Sequence, residues 1–267
     1  MTKAKLLQHH STTFYGKILH MSATKPILIP QLRPEDSTSD SEYACFLKYG
    51  GLRAEDTCRI RIEKNGISDN LDLDDYSAII VGGSPFDIST PAEKKSEIQK
   101  KIEADFNHLL EQVVRRDFPF LGACSGNGLL GNYLGTPITT KHGEAVGCIT
   151  LDITETGKKD KLLAGFPEQI DVLLGHKEAC DVTPEGAILL MTGSHCPVQM
   201  FRVGENGYAT QFHPEGDAEE FELRIDIYAN HGYFEPHEAE VLKQEVSRKP
   251  TPFAQEILRR FVDNYLE

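Results

Sequence analysis

Along the chain, short apolar runs alternate with longer stretches in which apolar residues recur every three or four positions. Pro26 to Leu32 (PILIPQL) reads as a buried strand whose end Pro30 weakens. Ser39 or Asp40 can cap a helix that runs through Phe46 and Leu47 and stops at Gly50–Gly51. Thr57 to Ile62 alternates as a strand, and Asn65–Gly66 is a turn signal. Ser77 to Val81 is a short apolar run halted by Gly82–Gly83. Residues 92–116 carry Ile98, Ile102, Phe106, Leu109, Leu110 and Val113 at helical spacing, and Phe118 to Gly122 follows as another buried strand. From Val146 to Phe212 the pattern is strand-rich, with turns at Pro184–Gly186 and Glu205–Gly207. Phe253, Ile257, Leu258, Phe261, Val262 and Tyr265 form an apolar stripe on a last helix.

Strand, helix, strand, helix is the signature of an α/β fold. It predicts a doubly wound, mostly parallel sheet with flanking helices. The strand-rich stretch predicts an antiparallel extension of that sheet, and the chain closes on C-terminal helices. Residues 21–267 read as one domain. Residues 1–20 are polar, carry His9 and His10 and show no sustained periodicity. They read as a disordered extension, with Met21 near a natural start, or equally as a genuine N-terminal arm.

Composition narrows the partners. The chain is 39% hydrophobic and 26% charged, which suits a folded protein with a real core. A formal net charge of −13 repels phosphate backbones and anionic lipid surfaces, so neither nucleic acid nor membrane is an expected partner. No apolar run approaches the roughly 18 residues of a membrane span. Six scattered cysteines (Cys45, Cys58, Cys124, Cys148, Cys180, Cys196) include no Cys-x-x-Cys pair, and they read as reduced thiols of a cytoplasmic protein.

Three segments carry chemistry. In Phe120-Leu121-Gly122-Ala123-Cys124-Ser125-Gly126-Asn127-Gly128 an apolar strand enters Gly-x-Cys-x-Gly, and a helical run follows. A nucleophile on such a strand-to-helix turn needs small neighbours, here Gly122 and Gly126. The thiol then sits at a helix N-terminus, which favours thiolate, and the Ser125 N–H can serve an oxyanion. An isolated motif of this kind is equally compatible with a buried structural cysteine. In Gln211-Phe212-His213-Pro214-Glu215, His213 and Glu215 are two apart, so an extended chain points both the same way. Glu215 can then orient the imidazole for a thiol. A metal site is not expected there, because no further ligand is suitably spaced. In Ile79-Ile80-Val81-Gly82-Gly83-Ser84-Pro85 a strand ends in Gly-Gly, which leaves backbone N–H groups for a second oxyanion donor at Gly83.

The order of these segments resembles the class I glutamine amidotransferases, over roughly residues 25–230. The resemblance is strongest to stand-alone relatives of the GMP synthetase amidotransferase domain. Gly175-His176-Lys177 and Cys196-Pro197-Val198 are weaker echoes of it. The resemblance implies hydrolysis of the glutamine side-chain amide through a thioester on Cys124, with His213 as acid and base and Glu215 as its support. Oxyanion donors would be Gly83 and Ser125. Gly82, Gly128, His176 and Lys177 would line the substrate pocket. Two positions depart from the family: Gly128 stands where a Gln is common, and Lys177 where a Gly is usual. These departures leave room for a γ-glutamyl hydrolase acting on a γ-glutamyl amine or peptide. A non-catalytic domain of the same fold is a further alternative. No ATP-gripping loop and no cofactor site are visible, so any synthetase that uses the ammonia is expected on another chain. The sequence does not name the oligomeric state.

Overall fold

The computed structural model describes residues 25–68, 70–229 and 234–266. The expected extension at residues 1–20 lies outside the described residues. Strand β1 (Ile27–Gln31) is apolar on both faces because both faces are covered. Ile27 and Ile29 join a core with side chains of helices α1 (Asp36–Gly50) and α7 (Pro252–Tyr265). Leu28 joins a second core with α3 (Glu97–Arg116) and α4 (Ser125–Tyr133). This two-sided burial is why the early strands read as continuous apolar runs rather than alternating ones.

β1 pairs in parallel with β2 (Thr57–Arg61) and β3 (Ala78–Val81). β4 (Phe120–Ala123) and β11 (Gly207–Thr210) continue the parallel run. Beyond β11 the sheet becomes antiparallel through β10 (Met200–Val203), β9 (Ile188–Thr192), β6 (Glu144–Ile153) and β7 (Gln169–His176). Among the described residues this is a nine-stranded sheet in the order β2-β1-β3-β4-β11-β10-β9-β6-β7. The doubly wound α/β core with an antiparallel extension is thus the architecture found. A separate two-stranded ladder joins β5 (Ile138–Thr139) to β8 (Ala179–Cys180). Single-turn α2 (Ile62–Asn65) and helices α5 (Ala218–Tyr228) and α6 (Ala239–Val246) complete the elements used below. Among the described residues, no helix is long and apolar enough to cross a membrane.

One boundary and two buried positions differ from expectation. Helix α1 begins at Asp36, a turn before the predicted caps. Thr38 and Ser39 are fully buried inside the helix, where the Ser39 hydroxyl donates to Gln31 Oε1 at 2.9 Å. Ile98 in the first turn of α3 is 51% exposed, while its neighbour Gln99 takes the buried position and donates to the Asp87 carbonyl at 2.7 Å. Phe253, at the start of α7, is 41% exposed and stacks on Phe166 instead of entering the core.

The parallel strands β3, β4 and β11 all deliver their C-terminal ends to one edge, where α/β sheets bind their ligands. Helix α7 backs this region through Phe261, which is fully buried and meets the Tyr208 ring of β11 edge-on, with centroids 6.3 Å apart. Phe261→Ala should therefore cost about 3–5 kcal/mol in urea unfolding, while Ile98→Ala should cost under about 1 kcal/mol. Equal costs at the two positions would contradict this packing.

Candidate active site

Cys124 follows β4 and caps α4 with φ +52 and ψ −98, a conformation L residues seldom adopt. Two contacts impose it. Its N–H donates to the Thr210 carbonyl of β11 at 2.8 Å, which continues the ladder one residue past the strand. The chain then turns so tightly that a Cβ added at Gly122 would lie 2.7 Å from the carbonyl carbon of Gly126. Gly126 in turn packs on Val81, where an added Cβ would sit 3.2 Å from the Val81 carbonyl oxygen. The first helical bond of α4 runs from the Gly128 N–H to the Cys124 carbonyl. The Ser125 N–H therefore lies in the first turn, where amides lack intrahelical partners.

β11 lies beside β4, so the residues after it arrive next to Cys124. The His213 N–H donates to the Leu173 carbonyl of β7 at 3.0 Å, and the Gly216 N–H donates back to the His213 carbonyl at 3.2 Å. His213 and Glu215 thus meet across a tight turn, not along the extended strand expected from their spacing. The ring Nδ1 and Glu215 Oε1 are 2.6 Å apart. With Nδ1–H donating to the carboxylate, Nε2 is the nitrogen that remains to exchange protons. Cys124 and His213 share the wall of one cleft.

Sequence reading missed the charges behind this pair. Arg224 of α5 donates to Glu215 Oε1 at 3.2 Å and contacts Glu220 one turn earlier. Arg33 donates from Nε to Glu42 Oε1 at 2.8 Å, and Arg224 lies 3.6 Å from the same oxygen. All five side chains are buried. Glu220 and Arg224 stand at ordinary i, i+4 helical spacing, which in a sequence is indistinguishable from a solvated surface pair. The only cue is Asp217, whose side chain caps α5 through the Glu220 N–H at 2.9 Å and so starts the helix directly after Glu215.

Burial dominates the protonation states. It pushes the Cys124 thiol up to about 11 against the pull of Arg33 and Arg224. It also draws His213 down to about 4, helped by the Arg224 charge. Against its own burial, Glu215 is held down to about 2 by His213 and Arg224. Glu220 is pushed up to about 7 by burial. The resting pair is therefore neutral thiol and neutral imidazole. This desolvation opposes the pull toward thiolate expected from the helix N-terminus.

The other predicted residues fall as follows. The Gly83 N–H, expected to await an oxyanion, donates to Glu42 Oε1 at 3.1 Å. Gly82 backs onto the same carboxylate, since a Cβ there would fall 2.4 Å from Glu42 Oε1. Gly128, His176 and Lys177 do line a small cleft together with Ser84, Cys124 and Ser125. At Gly128 an added Cβ would lie 2.9 Å from Ile88 Cδ1, so the loop after β3 occupies the space a glutamine side chain would need. That loop is tied down by Glu178, which accepts the N–H groups of Ile88 at 2.6 Å and Ser89 at 2.7 Å, and by a Lys177–Asp87 pair at 3.1 Å.

Among the described residues, Glu144, His176 and Cys196 bring three ligand-type atoms within 4.8 Å of one another. Their bonding is largely spent within the protein. Glu144 Oε2 accepts from Gln199 Nε2 at 2.6 Å and faces His176 Nε2 at 3.0 Å, while His176 Nδ1 faces the Glu178 carbonyl at 3.0 Å. The group braces the wall of the small cleft.

Known proteins resemble this chain. A family profile described as Glutamine amidotransferase class-I matches residues 52–226. A protein of Sulfurisphaera tokodaii, named as one of the subunits of glutamine-hydrolyzing GMP synthase, is 27% identical over 159 residues, 59% of this chain and 76% of that protein. Gamma-glutamyl peptidase 3 of Arabidopsis thaliana is 26% identical over 199 residues, 68% of this chain and 76% of that protein. Among solved structures, a glutamine amidotransferase from Thermotoga maritima aligns with a TM-score of 0.65 over 90% of this chain and 99% of that one. Its 20% identity speaks for the fold alone. The strand-end cysteine, the sheet that carries it and the profile match together mean that this chain belongs to the class I glutamine amidotransferase family.

Proposed function

We propose that the chain hydrolyses γ-glutamyl amides, the side-chain amide of glutamine being the simplest, through a thioester on Cys124. The observation that carries this reading is the strained Cys124 at the sheet edge, sharing a cleft with a His213 that Glu215 holds at 2.6 Å. Because thiol and imidazole rest neutral, attack is coupled to proton transfer. Cys124 Sγ bonds to the amide carbon while its proton passes to His213 Nε2. The tetrahedral oxyanion lies against the Ser125 N–H in the first turn of α4. The Gly83 N–H joins it only by leaving Glu42. The carbon–nitrogen bond then breaks as His213 returns its proton to the departing nitrogen. Water, deprotonated by His213, adds to the thioester. The carbon–sulfur bond breaks, the sulfur recovers the proton, and glutamate leaves.

Two fates of the nitrogen differ in what they require. Release of ammonia to a synthetase on another chain is supported by the likeness to one component of a multi-chain GMP synthase. Release of a larger amine is supported by the cleft beside His213 and by the likeness to a γ-glutamyl peptidase.

Purified protein should release glutamate from glutamine or from a γ-glutamyl amide, and Cys124→Ala should abolish this. His213→Ala should lose about 10²–10⁴-fold in kcat, and Glu215→Gln less, since Glu215 only orients and supports the ring. Full activity in Cys124→Ala would remove the nucleophile from this site altogether.

The pH profile tests the neutral pair. A protonated His213 cannot take the thiol proton, so kcat/KM falls as pH drops through its value in the folded protein. That value lies below the ordinary 6.5 of imidazole, toward about 4. The same shift contributes stability above 6.5 that is lost as pH falls from there toward 4. kcat/KM should therefore be flat from about pH 6 to about pH 8. An acid limb centred at about 6.5 or higher would contradict the lowered imidazole.

A further inference from the structure

Two hollows meet at Cys124. The smaller is walled by Ser125, Gly128, Lys177 and Glu178, with Ser84 and Cys124 shared. The larger is walled by His213, Arg33 and Arg224 and by the apolar side chains Val146, Phe221, Ile225, Tyr228 and Phe234. Only the larger has His213 in its wall. Since His213 returns a proton to the departing nitrogen, whatever that nitrogen carries must lie in the larger hollow. Ammonia carries nothing and needs no apolar chamber. An apolar wall beside the departing nitrogen suits an amine that carries an apolar substituent.

Arg33 adds a second, independent constraint. It is 4% exposed, and Nε and Nη1 are taken by Glu42 at 2.8 Å and the Tyr228 hydroxyl at 3.3 Å. Nη2 makes no hydrogen bond to any described residue. It nevertheless lies beside the imidazole: a Cβ added at Gly83 would fall 2.6 Å from Arg33 Nη2 and 3.0 Å from His213 Cε1. A buried guanidinium donor left over next to the proton-transfer group is placed for an oxygen acceptor on the substrate.

We propose that the larger hollow is a leaving-amine subsite, built for a γ-glutamyl dipeptide whose second residue is apolar, with its α-carboxylate on Arg33. It rests on the reading of Cys124 and His213 given above and deepens it by naming the amine. The second side chain lies against Phe221, Ile225 and Phe234. The γ-glutamyl moiety occupies the small polar hollow, and the scissile bond spans the Cys124 sulfur.

Calorimetry on Cys124→Ala protein separates the subsite from the chemistry. The ligands are glutamine, γ-glutamylglycine, γ-glutamylphenylalanine and the C-terminal carboxamide of γ-glutamylphenylalanine. γ-Glutamylphenylalanine should bind at least about tenfold more tightly than glutamine, with γ-glutamylglycine between them. The carboxamide should lose about fivefold or more relative to the acid. Glutamine binding as tightly as γ-glutamylphenylalanine, or the carboxamide matching the acid, overturns the subsite. Parallel assays with the unaltered protein keep the two claims apart. Turnover of glutamine with a flat binding series removes the subsite and leaves the thioester reading. The expected series without turnover of any of the four removes the thioester reading and with it the leaving-amine role, leaving only a dipeptide-binding hollow.

Discussion

Everything at the sheet edge depends on holding Cys124 at φ +52. A non-glycine residue in that conformation costs of order 1–3 kcal/mol, and the surroundings must over-determine it. They do so from three strands. β11 takes the Cys124 N–H through the Thr210 carbonyl, β4 supplies Gly122, and Val81 of β3 closes against Gly126. The same three contacts aim the first turn of α4 at the cleft and bring the residues after β11 beside the sulfur. Position, helix N-terminus and neighbouring histidine are therefore consequences of one parallel register, and none could move without the others.

Behind the edge, five charges share a volume with little water. Arg33 and Glu42 link β1 and α1, and Arg224, Glu220 and Glu215 link α5 to the histidine turn. Taking such groups out of water costs several kcal/mol per ion unless each finds a partner. The partners here are mutual, and their arrangement fixes which groups ionise. Glu215 keeps its charge because His213 and Arg224 face it, whereas burial, with the Glu215 and Glu42 carboxylates nearby, pushes Glu220 up to about 7. The network ties the support of His213 to the first strand and helix of the sheet.

The parts legible in the sequence are those with a local signature. Gly-x-Cys-x-Gly, the short apolar strands and the stripe on α7 each show as a spacing of neighbouring residues. The parts that were not legible are long-range. Glu42 and Gly83 are 41 residues apart, and nothing near Gly83 signals that its N–H is already taken. Arg33 and Arg224 look like surface charges until the sheet brings them together. Ile98 fits a helical stripe by spacing, yet its neighbour Gln99 takes the buried position. Gly128 reads as a lost substrate contact, while in the fold it makes room for Ile88. Local geometry is written in local residues, but electrostatics and exposure are properties of the assembled fold.

The central claim is that Cys124, resting as a buried neutral thiol, forms the acyl intermediate. The most direct test is to quench the protein with acid during turnover of a γ-glutamyl amide and map the adduct by peptide mass spectrometry. A γ-glutamyl thioester on the peptide containing Cys124, with the other five cysteines unmodified, is the result this account predicts. An adduct on Cys196 or Cys180, or turnover with no thioester at any cysteine under conditions where acylation outruns its hydrolysis, would contradict it.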